Sequence, residues 1–532
     1  MFLSSLSLHI LSLTLALLLP VIVAVDLTSF VSATHWSPCY YLNASLPSLH
    51  DGAAALAMSG THSIKLILGP EPDATYPWNT NWAPILANVT DLGTLAAQPI
   101  WDVVFRGALP NGNFGSGWNY STFSLITYRL SSTTWNYWCD SISDADIQLE
   151  TSEFASLTNH LLTSFAGTGK TFFLEHWEGD WSAHCGNYDP HTPPLPAVQA
   201  RMIQWLSARQ AGVDLGRAMW CQNHRDICND ITDGTAIHKA AGGTSVFCAS
   251  EVNIVGSSIS QGMRNNVLGV LPFVSLDVVS YSSYDTMWLN GGAGGFGAAL
   301  DFITAHHNRT KASPTPALFV AEYGVAQMQD TDIDHVTALI RNVNAWALSI
   351  NPSSNTRRAI ASFYWELFDN EVNPSPQFPG GRCNAQTGPE FNMSDLHGFW
   401  LLRPDGTQSP SWTALTVLLN STSAVIPTPE KAICVFTPDT DLQGPGQDGE
   451  EFNATSQDDC CDICASNVLC YAAVWQNSTN QCFTKFKDGT RVKKPGVTLC
   501  QLQQDVRRGK AIASSPRIPQ TPSQAFPKKS LV

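Results

Sequence analysis

Between Val25 and Ser423, eight short runs rich in Val, Ile, Phe and Tyr alternate with stretches of helical periodicity. No other feature of the chain restricts its fold as much. The predicted strands are Ser29–Trp36, Ser63–Gly69, Phe123–Leu130, Thr171–Trp177, Ser245–Asn253, Asp277–Tyr281, Leu318–Tyr323 and Ala361–Leu367. Helical periodicity marks Leu49–Ser59, Leu92–Phe105, Leu149–Phe165, Ala197–Ala211, Phe296–His307, Asp334–Ser349 and Trp412–Leu419. Strands separated by helices pair in parallel, because a helical crossover returns the chain to the same end of the sheet. Eight such units in residues 25–423 predict an α/β fold, a (β/α)8 TIM barrel with long loops. An open doubly wound sheet is the alternative.

The remainder divides into short pieces. Residues 1–24 contain an apolar run, Leu11 to Ala24, too short to span a bilayer comfortably and placed like a secretory signal peptide. An uncleaved anchor is the alternative, since no Lys or Arg precedes the run. Residues 424–433 hold Pro427 and Pro429 and read as a linker. Seven of the 14 cysteines fall in residues 434–500, which predicts a small disulfide-rich module. Residues 501–532, with Arg507, Arg508, Lys510, Arg517, Lys528 and Lys529, are expected to be a disordered basic tail. Sequons at Asn43, Asn88, Asn119, Asn308, Asn392, Asn420, Asn453 and Asn477 agree with a secreted, extracellular glycoprotein. A net charge of -15 argues against nucleic acid or an anionic membrane as the main partner. The barrel and the module each hold an odd number of cysteines, so each has a free thiol or the two share a bridge. Cys221 and Cys228 are close enough to staple one loop.

Two predicted strands lead to glutamates flanked by aromatics: Phe172-Phe173-Leu174-Glu175-His176-Trp177-Glu178-Gly179-Asp180-Trp181 and Leu318-Phe319-Val320-Ala321-Glu322-Tyr323-Gly324. Barrel enzymes work at the C-terminal ends of their strands, and strands four and seven lie across the barrel from one another. Glu178 and Glu322 can therefore face one cleft. Two carboxylates about 5 Å apart suit a double displacement at an anomeric carbon, one donating a proton and the other attacking. Glu251 is the alternative acid/base if the strand count is off by one. By strand alternation Glu175 is expected on the face opposite Glu178, as a buried, paired carboxylate. Glu366 is expected to be structural. Indoles offer flat surfaces to sugars, which nominates Trp177, Trp181 and Trp365, with Asp180 and Asn253 as polar contacts. The Gly167-Thr168-Gly169-Lys170-Thr171 stretch lies between a helix and a strand, the reverse of a phosphate loop's order. His176, His184, His191 and Cys185 fit no common zinc spacing. No cofactor or metal is expected; the expected partner is a carbohydrate.

These motifs resemble the large clan of (β/α)8 glycoside hydrolases that includes the family 5 cellulases and mannanases. The resemblance implies Glu178 as acid/base and Glu322 as nucleophile, with Tyr281 and Tyr284 orienting the nucleophile and Trp365 stacking on the sugar. Trp177 stands where that clan usually has Asn. The stretch Trp177-Glu178-Gly179-Asp180-Trp181 is similar to a signature of uncharacterised secreted cellulase-like proteins. Cys460-Cys461-Asp462-Ile463-Cys464, Cys470-Tyr471-Ala472-Ala473-Val474-Trp475 and Cys482-Phe483-Thr484-Lys485 resemble PAN/Apple domains, small α+β modules that bind proteins or carbohydrate. That resemblance implies Cys434–Cys500 and Cys464–Cys470 bridges and leaves the partner of Cys482 open. The implied function is a secreted retaining glycoside hydrolase acting on a β-linked polysaccharide or glycoconjugate. The alternative is a non-catalytic extracellular glycan- or protein-binding protein on a decayed barrel.

Overall fold

The computed structural model describes residues 26–107, 118–132, 136–186, 189, 191–225, 228, 241–288, 295–326, 333–372, 396, 398–420, 434–443, 448–454, 456–466, 472–485 and 490–502. The expected signal segment, the linker and all but the first two residues of the tail lie outside them.

All eight expected strands form: β1 (Val31–Ala33), β2 (Ser63–Leu68), β3 (Thr122–Thr127), β4 (Thr171–Glu175), β5 (Ser245–Val252), β6 (Val278–Ser282), β7 (Leu318–Tyr323) and β8 (Ser362–Tyr364). Strands β2 to β8 pair in chain order, all parallel, and β8 also pairs with β1. A parallel bridge between Thr34 and Lys65, with the His35 N–H on the Lys65 carbonyl at 2.9 Å, joins β1 to β2 and completes the ring. The open-sheet alternative is thereby excluded.

Alternation along each strand sorts the side chains into two cores. Phe173, Phe247, Ala249, Val278, Phe319, Ala321, Ala361 and Phe363 fill the barrel axis. Phe173 and Phe319 meet across it with ring centroids 4.9 Å apart. Ile64, Leu66, Leu174, Val279 and Val320 point the other way, into the shell beneath the helices.

Two helices differ from the sequence reading, for physical reasons. Leu92–Phe105 splits into Leu92–Ala96 and Pro99–Arg106, because Gln98 before the proline is extended and Pro99 opens a new helix. The helix expected to end at Ala211 runs from Pro196 to Asn223. Gly212 and Gly216 do not terminate it. They let it lie against the Asp144–Phe165 helix, where an added Cβ at either position would stand 2.6 Å from that helix's backbone or side-chain atoms.

Asp51 is a buried carboxylate that accepts the Leu42 and Asn43 amides at 2.7 and 3.1 Å. Burial pushes its pKa up to about 6, and those two amides pull it down only in part. A raised carboxyl stabilises the fold at low pH and loses that contribution as pH rises through its folded pKa. Asp51→Asn should therefore flatten the fall in unfolding free energy between about pH 4 and pH 7, as read from urea titrations at each pH.

Cys139–Cys185 and Cys221–Cys228 are disulfides, and Cys39 is also disulfide-bonded. Cys248 on β5 is a buried free thiol.

Among its described residues the C-terminal module is an antiparallel five-stranded sheet with one helix, Gln457–Ser466. Its strands, in spatial order, are Cys434–Gln443, Thr490–Leu502, Ala472–Gln476, Gln481–Lys485 and Asp448–Asn453. Cys460–Cys482 clips the helix to the sheet and supplies the partner left open for Cys482. Cys461 and Cys464 are disulfide-bonded as well. The implied Cys434–Cys500 bridge is not formed: Cys500 is a buried free thiol. The strand register sets Cys500 opposite Phe436, while Cys434 faces Leu502.

Candidate active site

At the C-terminal end of the barrel, the axis changes from phenylalanine to charge. Lys65 of β2 is fully buried there, and its Nζ lies 3.1 Å from Glu175 Oε1, 3.2 Å from Glu322 Oε1 and 3.4 Å from Glu251 Oε2. Burial opposes a charged lysine, but the charges of Glu175, Glu322 and Glu251 outweigh it and hold the ammonium well above its usual pKa.

Backbone irregularity aims Glu322 at this point. Phe319 and Ala321 face the axis, so strict alternation would turn Glu322 outward. The register with β6 slips between Tyr281↔Val320 and Ser282↔Glu322, which turns Glu322 inward. Its Oε1 accepts the Trp177 indole N–H at 2.9 Å, and its Oε2 accepts the Ser282 hydroxyl at 3.3 Å. The side chain is only 4% exposed.

Glu178 lies three residues beyond the end of β4, so strand alternation does not govern its direction. Its φ is 50°, a left-handed conformation that costs a non-glycine residue roughly 1–3 kcal/mol. Its N–H donates to Glu251 Oε1 at 2.7 Å. The next residue, Gly179, packs so closely that a Cβ there would collide with the Glu251 carbonyl. Glu178 is half-buried, and its charge reaches the hydroxyl of Tyr284, which also feels Glu322. Burial and those neighbouring charges push the Tyr284 phenol well up.

Glu251, at the end of β5, is fully buried and accepts from both the Glu178 N–H and Asn253 Nδ2. Burial, with Glu322 and Glu175 nearby, pushes its carboxyl well above the ordinary range; Lys65 and the Glu178 amide offset this in part. Glu175 is buried and paired, as expected, with Ser124 donating to it at 2.8 Å, but it faces the axis together with the other carboxylates. Glu366 is buried and accepts the Asn370 N–H at 3.2 Å.

Other expected contacts are redistributed. Tyr281 does not orient Glu322. It belongs to the outward face of β6, stacks on Phe296 and bonds Asp285 and Thr286, both at 2.5 Å. Ser282, one residue on, makes the contact expected of it. Asp180 is unsuited to a sugar hydroxyl, because its carboxylate accepts the Asn253, Ile254 and Asn266 amides and ties the loop after β4 to the loop after β5. Asn253 returns the clamp by accepting the Asp180 N–H at 3.1 Å. Trp181 is half-buried against His184, with ring centroids 6.2 Å apart. Cys185, weighed above as a metal ligand, is in a disulfide.

Trp177 and Trp365 do meet, and Trp36, beyond β1, joins them. Trp36 lies edge-on to both, with centroids 4.4 and 5.3 Å away, and Trp177 and Trp365 are near-parallel at 6.3 Å. The Trp365–Glu366 peptide is cis. The sequence reading missed Lys65, Ser282 and Trp36. A lysine in the otherwise apolar strand Ser63-Ile64-Lys65-Leu66-Ile67-Leu68 was the available signal for the first.

No protein-family model and no curated protein matches the chain. Among solved structures it is similar to an exo-β-1,4-mannosidase from Opitutaceae bacterium strain TAV5, at 13% identity and a TM-score of 0.39, over 73% of this chain and 59% of that one. A GH5_18 protein from Streptomyces cattleya in complex with Manβ1-4GlcNAc aligns at 10% identity and a TM-score of 0.39, over 74% of this chain and 81% of that one. A GH39 β-xylosidase from Caulobacter crescentus aligns at 11% identity and a TM-score of 0.37, over 90% and 97%. All three are named as glycoside hydrolases or carry a glycoside hydrolase family label. At these identities and scores, chemistry has to be argued from the site itself.

Proposed function

We propose that this chain is an extracellular retaining glycoside hydrolase acting on a β-linked glycan, with Glu322 as nucleophile and Glu178 as acid/base. The observation that carries this reading is the 2.9 Å hydrogen bond from Trp177 to Glu322, because it ties the residue next to Glu178 directly to the carboxylate of β7. Glu322 faces an ammonium, an indole N–H and a hydroxyl, a set of donors suited to a carboxylate that must attack as an anion. The strained backbone at Glu178 is the kind of cost that functional sites retain.

In the first step a Glu322 oxygen bonds to the anomeric carbon as the glycosidic C–O bond breaks, and the Glu178 proton passes to the leaving oxygen. In the second step water attacks the same carbon, Glu178 takes the water's proton and Glu322 leaves. Two inversions give net retention. Trp36, Trp177 and Trp365 would present the aromatic wall of the sugar site. Glu251 is a poorer acid/base despite its raised pKa. Its side chain is 0% exposed, and its oxygens are already taken by Glu178, Asn253 and Lys65.

Aryl β-glycosides of graded leaving-group acidity separate the two glutamates. Glu178→Gln should lower kcat/KM for substrates with poor leaving groups by about 10²–10⁴-fold while sparing kcat/KM for an activated dinitrophenyl glycoside, whose kcat should fall because the second step loses its base. Glu251→Gln should show no such dependence. If the pattern attaches to Glu251 instead, the acid/base assignment is wrong. If the wild-type protein binds β-glycans but releases no product, the decayed-barrel reading replaces this one.

A further inference from the structure

The C-terminal module segregates its charge. All five Lys and Arg residues of 434–502 fall between Lys485 and Lys494, whereas eight of its nine Asp and Glu residues precede position 463. In a chain of net charge -15 such a cluster does not follow from composition.

The sheet sets the described end of this run, from Thr490 on, beside a neighbouring strand. Thr490–Leu502 pairs antiparallel with Cys434–Gln443, setting Arg491 opposite Leu442 and Lys493 opposite Thr440. Positions 491 and 493 share one face, with Cα atoms about 7 Å apart. Val492 and Lys494 take the other face, opposite Asp441 and beyond it. Asp441 serves as an internal counter-ion there, 3.2 Å from Lys494 Nζ and 3.7 Å from Lys485 Nζ. Arg491 and Lys493 are exposed, and neither has a carboxylate partner among the described residues. The Arg491 guanidinium is held by the Gln501 side chain at 2.7 Å, so it projects from an ordered strand.

We infer that the 490–494 segment of the module is a binding surface for an anionic polysaccharide, with Arg491 and Lys493 as its principal contacts to carboxylate or sulfate groups. Guanidinium and ammonium groups spaced along an extended strand fit a linear polymer that repeats its charge. An anionic bilayer fits less well, because none of the exposed large apolar side chains among the described residues lies in the module. The inference does not depend on the hydrolase assignment.

The experiment uses the full chain on immobilised heparin, polygalacturonate and a neutral β-glucan, with phosphatidylserine vesicles alongside. The double variant Arg491→Gln/Lys493→Gln leaves the Asp441 ion pairs intact, and an unchanged melting temperature reports that the module still folds. Wild-type protein should bind one or both polyanions in a salt-sensitive way, and the double variant should bind at least tenfold more weakly. Equal binding by the two proteins overturns the proposal, as does wild-type binding to vesicles as tight as to the polysaccharides. Failure of the wild type to bind either polyanion at about 0.15 M salt overturns it too. A preference for heparin over polygalacturonate, or the reverse, assigns sulfate or carboxylate as the group recognised.

Discussion

Glu322→Ala should lower kcat toward aryl β-glycosides by about 10⁴-fold or more, because in the proposed mechanism it removes the atom that forms the covalent intermediate and leaves only binding and acid catalysis. The barrel should survive the change. Lys65 keeps Glu175 and Glu251 as partners at 3.1 and 3.4 Å, and the truncation removes a buried charge without orphaning a cation. Near-wild-type stability with lost turnover separates a chemical role from a structural one. The same variant offers a more specific readout. The space left by the carboxylate can admit azide, which would attack the anomeric carbon from the vacated side and yield a glycosyl azide of inverted configuration. Rescue with that stereochemistry identifies Glu322 as the displaced nucleophile. A variant that hydrolyses within tenfold of the wild type, without azide, removes Glu322 from the mechanism.

What the sequence disclosed and what it hid divide along physical lines. Strand composition and helical period are local properties, so all eight strands could be placed, and with them the barrel. Direction within a strand is also local while the strand stays regular: Tyr281 should have been assigned outward from its parity with Val279. Glu322 shows where that rule ends, since the slip of β7 against β6 depends on a neighbouring strand and reverses the parity. Glu178 lies outside alternation altogether, in a left-handed turn that only the packing of Gly179 against Glu251 makes intelligible. Asp180 was legible as a polar residue beside a site, but its three amide donors come from positions 253, 254 and 266, which only folding brings near. The absent Cys434–Cys500 bridge is a matter of register, which cysteine spacing alone does not encode.

Lys65→Met should be the most destabilising single change in the barrel. Lys65 is the cation common to Glu175, Glu251 and Glu322, and all four side chains are nearly or wholly shut off from water. Replacing a whole buried ion cluster with apolar groups can be neutral, but removing the lysine leaves the carboxylates desolvated without this counter-ion, at a cost of about 3–5 kcal/mol. The pH dependence follows from the same electrostatics. Without the ammonium the three carboxylates repel one another, so protonation becomes easier in the folded state than in the unfolded chain. A carboxyl whose folded pKa is raised stabilises the fold most below its unfolded pKa of about 4.3 and loses that stabilisation as pH rises. The deficit of Lys65→Met relative to wild type should therefore be largest near neutral pH and shrink toward pH 5, measured by urea denaturation at both values. Adding Glu175→Gln and Glu251→Gln to Lys65→Met removes the repelling charges and should restore most of the lost stability. If Lys65→Met is as stable as wild type at neutral pH, or if its deficit grows on acidification, the lysine does not hold these carboxylates together, and the orientation of Glu322 comes from its other partners, Trp177 and Ser282 among them.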